Sequence, residues 1–520
     1  MIRRTLPIGI QSFQVIRDSG CYYVDKTGLV RKLVDEGRNY FLSRPRRFGK
    51  SLLVDTLKEL FEGNEPLFEG LAIHDHWDWS VHYPVVRLSF DVNYNETGDL
   101  QRNIASQLER IESDNGLDSA TERRGPDRLQ DILHGLHRAS GQRVVVLVDE
   151  YDKPILDVID QPEMAIANRQ YLRGLYGAIK GSANDVRFVF VTGVSMFTKT
   201  SLFSEMNNLD NISLDPEFAA ICGYTDNDLD TVFAPELPGL DRDEVRRWYN
   251  GYNWLGEEKL YNPYDLLLLF RKREFMSHWF ETGSPSFLVK AMMERGASLM
   301  DLENRSADAR QLSRFDIENI DMDALLFQTG YLTIRERVRD GYLTFYTLDY
   351  PNFEVRQSLS EYLLNYLGQQ TGRVSVTGRK LSSLLAANDF EGFAEHLKSF
   401  LGGIPYQWKA GNGPARYEAW YAGMLYACFS MIGLDFRAEE PSGQGRSDMV
   451  VFHGGQVFVL EFKAVEDEAG AGEALDGAIA QIRERGYGEK YWSRGEPVHL
   501  MGLVFGGPKR SLVAVRAERM

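Results

Sequence analysis

The chain has 520 residues, 43% hydrophobic and 26% charged, the balance of a soluble globular protein with room for two or three domains. Its formal net charge of −16 argues against unspecific coating of a polyanion, which depends on Lys and Arg neutralising phosphates, though a local basic groove stays open. Cys21, Cys222 and Cys428 are too scattered for a zinc cluster or a disulfide framework and fit a reducing compartment.

The first residues carry Arg3 and Arg4 without an apolar stretch of signal-peptide length behind them. Apolar runs such as Val144–Val148 and Leu266–Phe270 are far too short to cross a bilayer, so a cytoplasmic protein without a membrane partner is expected. Four β-branched or aromatic-rich segments then follow in order: Tyr40–Ser43, Pro84–Phe90, Arg143–Val148 and Val186–Thr192. Helical patterns separate them, which predicts crossover connections and a parallel sheet covered by helices. From 217 to about 365 the pattern becomes mainly helical, and Gly368–Gly378 reads as a linker or exposed turn. After Leu381 come amphipathic helices, two close strands at Asp448–Phe452 and Val457–Phe462, a helix through Ala474–Glu484, and a last strand at His499–Phe505. These last elements predict a second, smaller α/β unit.

The first chemical motif is Arg44-Pro45-Arg46-Arg47-Phe48-Gly49-Lys50-Ser51. A phosphate loop needs a strand, a turn with inward N–H groups, a Lys for the outer phosphates, and a Ser or Thr for Mg²⁺ at a helix N-terminus. Tyr40–Ser43 supplies the strand, Gly49, Lys50 and Ser51 the loop end, and residues 52–61 the helix. Arg44 stands where the usual pattern has its first glycine. The Arg44, Arg46 and Arg47 cluster could form a DNA patch, but its position favours contact with nucleotide phosphates, since guanidinium forks match phosphate oxygens. A lone Gly-Lys-Ser also fits a helix start on a basic surface. The apolar strand ending in Asp149-Glu150 favours the nucleotide reading, with Asp149 in the Mg²⁺ shell and Glu150 orienting the attacking water. Thr192 or Ser195, at the end of the next strand, is the candidate γ-phosphate sensor. Asp152 either braces this site or begins the following helix. His74-Asp75-His76 fits a capped surface turn better than a metal pair.

Residues 8–27, the Arg44–Ser51 loop, Asp149–Pro154, Tyr249–Tyr252, Tyr261–Pro263 and Gln328–Thr333 together resemble the bacterial AAA-ATPase-like family over nearly the whole chain. That family's own loop begins with Arg, so Arg44 departs from the general phosphate loop and not from the family. Members commonly end in a PD-(D/E)XK nuclease-like domain.

The C-terminal constellation also stands on its own chemistry. Asp448 begins one strand and Glu461 lies on the next, and a short turn over 452–456 would set the two side by side. Lys463 follows Glu461 by two residues, so period-2 alternation puts both on one sheet face, with Leu460 and Phe462 on the other. A hairpin with polar ends would look similar. The pattern resembles the PD-(D/E)XK fold, which implies that Asp448 and Glu461 bind Mg²⁺ and Lys463 assists catalysis. Glu418 resembles its upstream acid, and Gln481 with Tyr487 resembles the Gln and Tyr of its RecB-like branch. Residues 401–520 hold 13 basic and 15 acidic side chains, net −2, so most of the negative excess lies elsewhere.

The expected class is therefore α/β: a P-loop NTPase parallel sheet over 1–216, a mainly helical lid or connector over 217–366, and a smaller restriction-endonuclease-like domain over 380–520. The expected cofactors are ATP and Mg²⁺, and the expected partner is nucleic acid, DNA before RNA, with a homo-oligomer left open. One reading is an ATP-controlled, Mg²⁺-dependent nuclease. The other is a nucleotide-switched signalling or scaffold protein with a silent nuclease fold.

Overall fold

The structure is a computed structural model that describes residues 3–118, 122–196, 208–278, 289, 292, 299–313, 321–367, 371–403, 414–442, 445–506 and 511–520. The chain forms two compact units, Met1–His278 with Asn304–Phe353, and Trp279–Glu303 with Glu354–Met520.

In the first unit, β1 (Asn39–Ser43), β2 (Val85–Ser89), β3 (Val144–Asp149), β4 (Val186–Gly193) and β5 (Asp210–Asn211) form one parallel sheet in the order β2-β3-β4-β1-β5. The four expected strands are present, each within a residue of its expected limits. Every residue of β3 is buried, as a strand covered on both faces by helices requires. The helix Lys50–Glu62 packs on β3 and β2, while Gly125–Ser140 and Pro162–Gly181 pack on each other.

Residues 217–366 are not simply helical. Besides helices such as Arg242–Tyr249, Pro263–Lys272 and Met322–Gln328, they hold a short ladder of β6 (Asn250–Tyr252) with β7 (Leu260–Tyr261). They also hold an antiparallel sheet of β8 (Arg305–Asp308), β9 (Thr333–Asp340) and β10 (Leu343–Asp349), in the order β8-β10-β9. From Arg335 onward β9 exposes every side chain, so it lacks the apolar alternation by which a strand is read. Instead of forming a separate region, 217–366 is divided between the two units.

The second unit holds β11 (Asp435–Ser442), β12 (Gly445–His453), β13 (Gln456–Val465), β14 (Val498–Gly506) and β15 (Ser511–Arg519), a mixed sheet in that order. Only β13 and β14 run parallel, joined across the helix Ala471–Glu484. The outer strands β11 and β15 were not expected. The segment read as a linker is corrected too: 368–370 lie outside the described residues, and the rest begins the helix Thr371–Ala386. Leu381, Leu384 and Leu385 bury its second half against the helices Phe390–Gly402 and Pro414–Met431, so tertiary packing carries the polar first half.

Gly502 of β14 pairs with Glu461 of β13. A Cβ at Gly502 would lie 3.1 Å from Ala478 Cβ and 3.3 Å from Leu475 Cδ2, so the missing side chain lets the crossover helix settle on this face. Gly502→Val is expected to overpack that contact and destabilise the second unit by about 1–3 kcal/mol, read as a lower midpoint of its thermal transition by calorimetry.

Candidate functional sites

In the first unit the loop Arg44–Gly49 leaves the C-terminal end of β1 and enters the helix Lys50–Glu62. Gly49 takes φ +91°, a left-handed turn suited to glycine, and no side chain caps the helix, so its first N–H groups stay available to an anion. The Lys50 ammonium donates to the Arg44 and Pro45 carbonyls at 3.0 Å each, closing the loop around itself. Phe48 anchors the loop in the core, edge-on to Tyr252 at 4.8 Å and Trp254 at 5.1 Å.

The loop arginines divide by role. Arg44 is fully buried, stacked 4.3 Å from Trp254, and donates to the carbonyls of Ser43, Ser213, Phe218 and Ala219. Burial lowers its pKa to about 10. It is a strut joining β1 to the segment after β5 and not a phosphate contact, which accounts for an arginine where a glycine is usual. Arg46 and Arg47 are exposed, with Arg47 held over the Tyr264 ring at 4.7 Å. Ser51 sits half-buried in the first helical turn.

Strand order brings the acids to this loop. β4 lies between β1 and β3, and the pairings Leu42↔Thr192 and Val148↔Val191 set Thr192 between the phosphate loop and Asp149. Thr192 donates its hydroxyl to Asp149 Oδ1 at 2.8 Å, so it positions that carboxylate; the Ser195 hydroxyl is buried without a hydrogen-bond partner among the described residues. Glu150 has a left-handed backbone, φ +55°, an unfavourable conformation for a non-glycine residue. Burial, with Asp91, Asp149 and Asp152 nearby, pushes its pKa up to about 7 against the pull of Lys50. Asp152 is buried and accepts the N–H groups of Val194 and Ser195, so it braces the end of β4.

Sequence reading missed two members. Arg87 on β2 bonds Asp55 at 2.7 Å and stands 3.8 Å from Asp149 Oδ2, and Asp55 also accepts the Phe13 N–H at 2.7 Å. A lone arginine inside the apolar run Val85–Ser89 was the available signal. Gln328 accepts the Met196 N–H and donates to the Leu312 carbonyl, each at 2.8 Å, clamping the chain just beyond β4. The His74-Asp75-His76 turn is a short 3₁₀ segment in which His74 contacts Asp75 at 3.0 Å.

In the second unit, β12 and β13 meet through Met449↔Leu460 and turn at His453↔Gln456; one further step of that register sets Asp448 across from Glu461. Asp448 accepts the Phe462 N–H at 2.6 Å. Lys463 donates to Glu461 Oε1 at 3.0 Å and to Gln481 Oε1 at 2.9 Å, and Gln481 also donates to Glu461. Leu460 and Phe462 are buried on the opposite face, as alternation requires. Glu461 is 2% exposed, and its Oε2 is buried without a hydrogen-bond partner among the described residues. Burial, then the Asp448 charge, pushes its pKa up to about 7 despite Lys463. Asp448 and Glu418 are raised as well, chiefly by burial.

Glu418 is on the helix Pro414–Met431 and its field reaches Asp448 and Lys463, but no three His, Cys, Asp or Glu side chains among the described residues group closely enough to hold an ion. Asp448 and Glu461 are the closer pair, and Glu418 acts on both of them through its charge. That pair, with one orphaned carboxylate oxygen, suits a Mg²⁺ that keeps most of its ligands as water or substrate oxygen. Tyr487 is buried in the cluster of Val450, Val457, Ile479 and Ile482, with its hydroxyl end beside Gly445. Among the described residues no helix is long and apolar enough to cross a membrane.

The sequence pattern described as predicted AAA-ATPase matches residues 7–203, and that of the PD-(D/E)XK nuclease superfamily matches 416–515. A protein of Azotobacter chroococcum mcd 1, described as an uncharacterized protein in the vnfD 5′ region, is 50% identical over 523 residues, covering 100% of both chains. The Aeropyrum pernix ORC1 protein in complex with DNA is similar at 14% identity and a TM-score of 0.25, covering 68% of this chain and 98% of that one, a likeness too slight to carry an argument.

Because the folded state holds the Glu461 proton more tightly than the unfolded chain, its contribution to stability is present at low pH and lost as pH rises through about 7. With chelator present, Glu461→Gln is therefore expected to gain in melting temperature over the unmodified protein between pH 5 and pH 8. Calorimetry of both proteins across that range checks the sign.

Proposed function

The chain belongs to the predicted AAA-ATPase family, with a PD-(D/E)XK nuclease superfamily domain towards its C-terminal end, and on that premise we propose an ATP-hydrolysing protein that controls a Mg²⁺-dependent nucleic-acid phosphodiester hydrolase. The observation that carries the nuclease half is the buried, unpartnered Glu461 Oε2 beside Lys463 and opposite Asp448. Leaving such an oxygen without a partner costs free energy that a cation arriving with substrate offsets.

In the nucleotide site, Lys50 exchanges its loop carbonyls for the outer phosphates, and Arg46 and Arg47 approach them from the exposed side of the loop. Ser51 and Asp149 would hold Mg²⁺, with Thr192 and Arg87 orienting Asp149. Glu150, with a pKa near neutrality, is matched to accept a proton from the attacking water. In the nuclease site, Asp448 and Glu461 would hold Mg²⁺, which supplies charge neutralisation and a more acidic water. Lys463 counters charge developing on the phosphate, and Gln481 holds Lys463 and Glu461 together. DNA is the preferred substrate class, and the protein acts in the cytoplasm.

One observation favours the second reading, a nucleotide-switched scaffold with a silent nuclease fold: among the described residues no three metal-ligating side chains, Glu418 with Asp448 and Glu461 included, group closely enough to hold an ion.

Lys50→Ala is expected to weaken ATP binding by roughly tenfold to a hundredfold in calorimetry, since it removes a charged donor to phosphate. Glu150→Gln should keep binding and lower turnover by about 10²–10⁴. In cleavage assays on single- and double-stranded DNA and RNA with Mg²⁺ or Mn²⁺, Asp448→Ala and Glu461→Ala should abolish cutting, and Lys463→Ala should slow it while sparing metal binding. All three should retain ATP hydrolysis. Cleavage should differ among no nucleotide, ADP and ATP; identical rates in all three, with Glu150→Gln cutting normally, would refute control by nucleotide. Absence of cleavage of every substrate would establish the scaffold reading.

A further inference from the structure

The ribbon of β9 and β10 extends past the sheet that carries it. β8 pairs with β10 only from Phe345 to Leu348, whereas β9 and β10 stay paired out to Asp340↔Leu343 around the two-residue turn Gly341-Tyr342. Residues 335–343 are all exposed, including Tyr342 at 101%, Leu343 at 61% and Val338 at 42%. A two-stranded ribbon with apolar side chains in water is marginal by itself, so its exposure needs a reason.

Charge on this ribbon is sorted by face. Arg337 and Arg339 alternate along β9 and point one way, while Glu336 and Asp340 point the other; Arg335 lies at the irregularity where the ladder shifts register, between Glu336↔Thr347 and Ile334↔Leu348. Arg335 is held by Asp349 at 2.6 Å; Arg337 and Arg339 form no ion pair among the described residues. Charges on an edge strand often serve only to block pairing with another chain. That role requires neither sorting by sign nor an exposed Tyr342 and Leu343 at the tip, which would weaken it. Against a net charge of −16, two exposed arginines side by side on one face, with no ion pair among the described residues, mark a polyanion contact.

We infer that this ribbon is a nucleic-acid contact, with Arg337 and Arg339 on the phosphate backbone of a duplex and Tyr342 at its leading end. Alternate residues of a strand stand about 6.8 Å apart, twice the roughly 3.4 Å axial step between phosphates of one duplex strand. A two-stranded ribbon also fits the B-form major groove, about 12 Å wide. The assignment rests on nucleic acid being the substrate of the C-terminal site, and it names a surface remote in sequence from that site.

The test is fluorescence anisotropy of the full chain with a labelled DNA duplex and its single strand, in EDTA, across a salt titration. Arg337→Ala combined with Arg339→Ala is expected to weaken duplex binding on the order of tenfold at low salt and to reduce the slope of log affinity against log salt by about 2. Glu336→Gln, on the opposite face, should leave that slope unchanged, and all variants should melt with the unmodified protein. If the unmodified protein binds duplex and the double variant matches it in affinity and slope, the ribbon contact is wrong while the nuclease reading stands. A loss confined to the single strand overturns the groove assignment. If the unmodified protein binds neither nucleic acid, the contact and the reading beneath it both fail.

Discussion

Burial of carboxylates beside too little positive charge is the constraint on which both units depend. Asp149, Asp152 and Glu461 are each at most 2% exposed, and removing such groups from water raises the free energy of their charged forms. The folds offset this with aimed donors: Thr192 on Asp149, the Val194 and Ser195 amides on Asp152, Lys463 and Gln481 on Glu461. The compensation is incomplete where chemistry is expected. Glu150 and Glu461 are both pushed to about 7, and one Glu461 oxygen keeps no partner. Groups held near neutrality in this way suit proton transfer or cation binding.

The arginines of the first unit show how one side chain meets different demands. Arg44 spends its donors on backbone carbonyls and its flat face on Trp254, which ties the phosphate-loop strand to the segment after β5. Arg87 spans the gap between Asp55 and Asp149, and through Asp55 it joins the N-terminal segment at Phe13 to the acid end of β3. Arg46 and Arg47 remain at the surface, where a phosphate can reach them. Residues adjacent in sequence thus have opposite environments because the chain turns sharply between the buried strand and the helix.

Much of the architecture was legible because it rests on local rules. Strands β1 to β4 are short apolar runs between helical patterns, and Glu461 and Lys463 share a face because strand alternation leaves them no other arrangement. The β8–β10 sheet was not legible, since the exposed part of β9 carries alternating charges of both signs and no buried stripe. The first half of the helix Thr371–Ala386 falls in the segment Gly368–Gly378, which reads as a linker because it is polar, and docking of Leu381, Leu384 and Leu385 sustains it. Tyr487 follows the expected order along the chain, yet its ring completes an apolar cluster.

By itself the sequence determined the identity and order of the chemical groups: a Lys and Ser at a helix start, two acids at the end of an apolar strand, and an Asp followed by Glu-x-Lys on neighbouring strands. Period and spacing encode these, because they depend only on the geometry of single elements. The tertiary structure alone decided which groups face one another: Thr192 beside Asp149, Arg87 between two acids, and Gln481 against Glu461 and Lys463. Such meetings arise from strand order and from a helix settling over Gly502, contacts between segments far apart in the chain that no local pattern records.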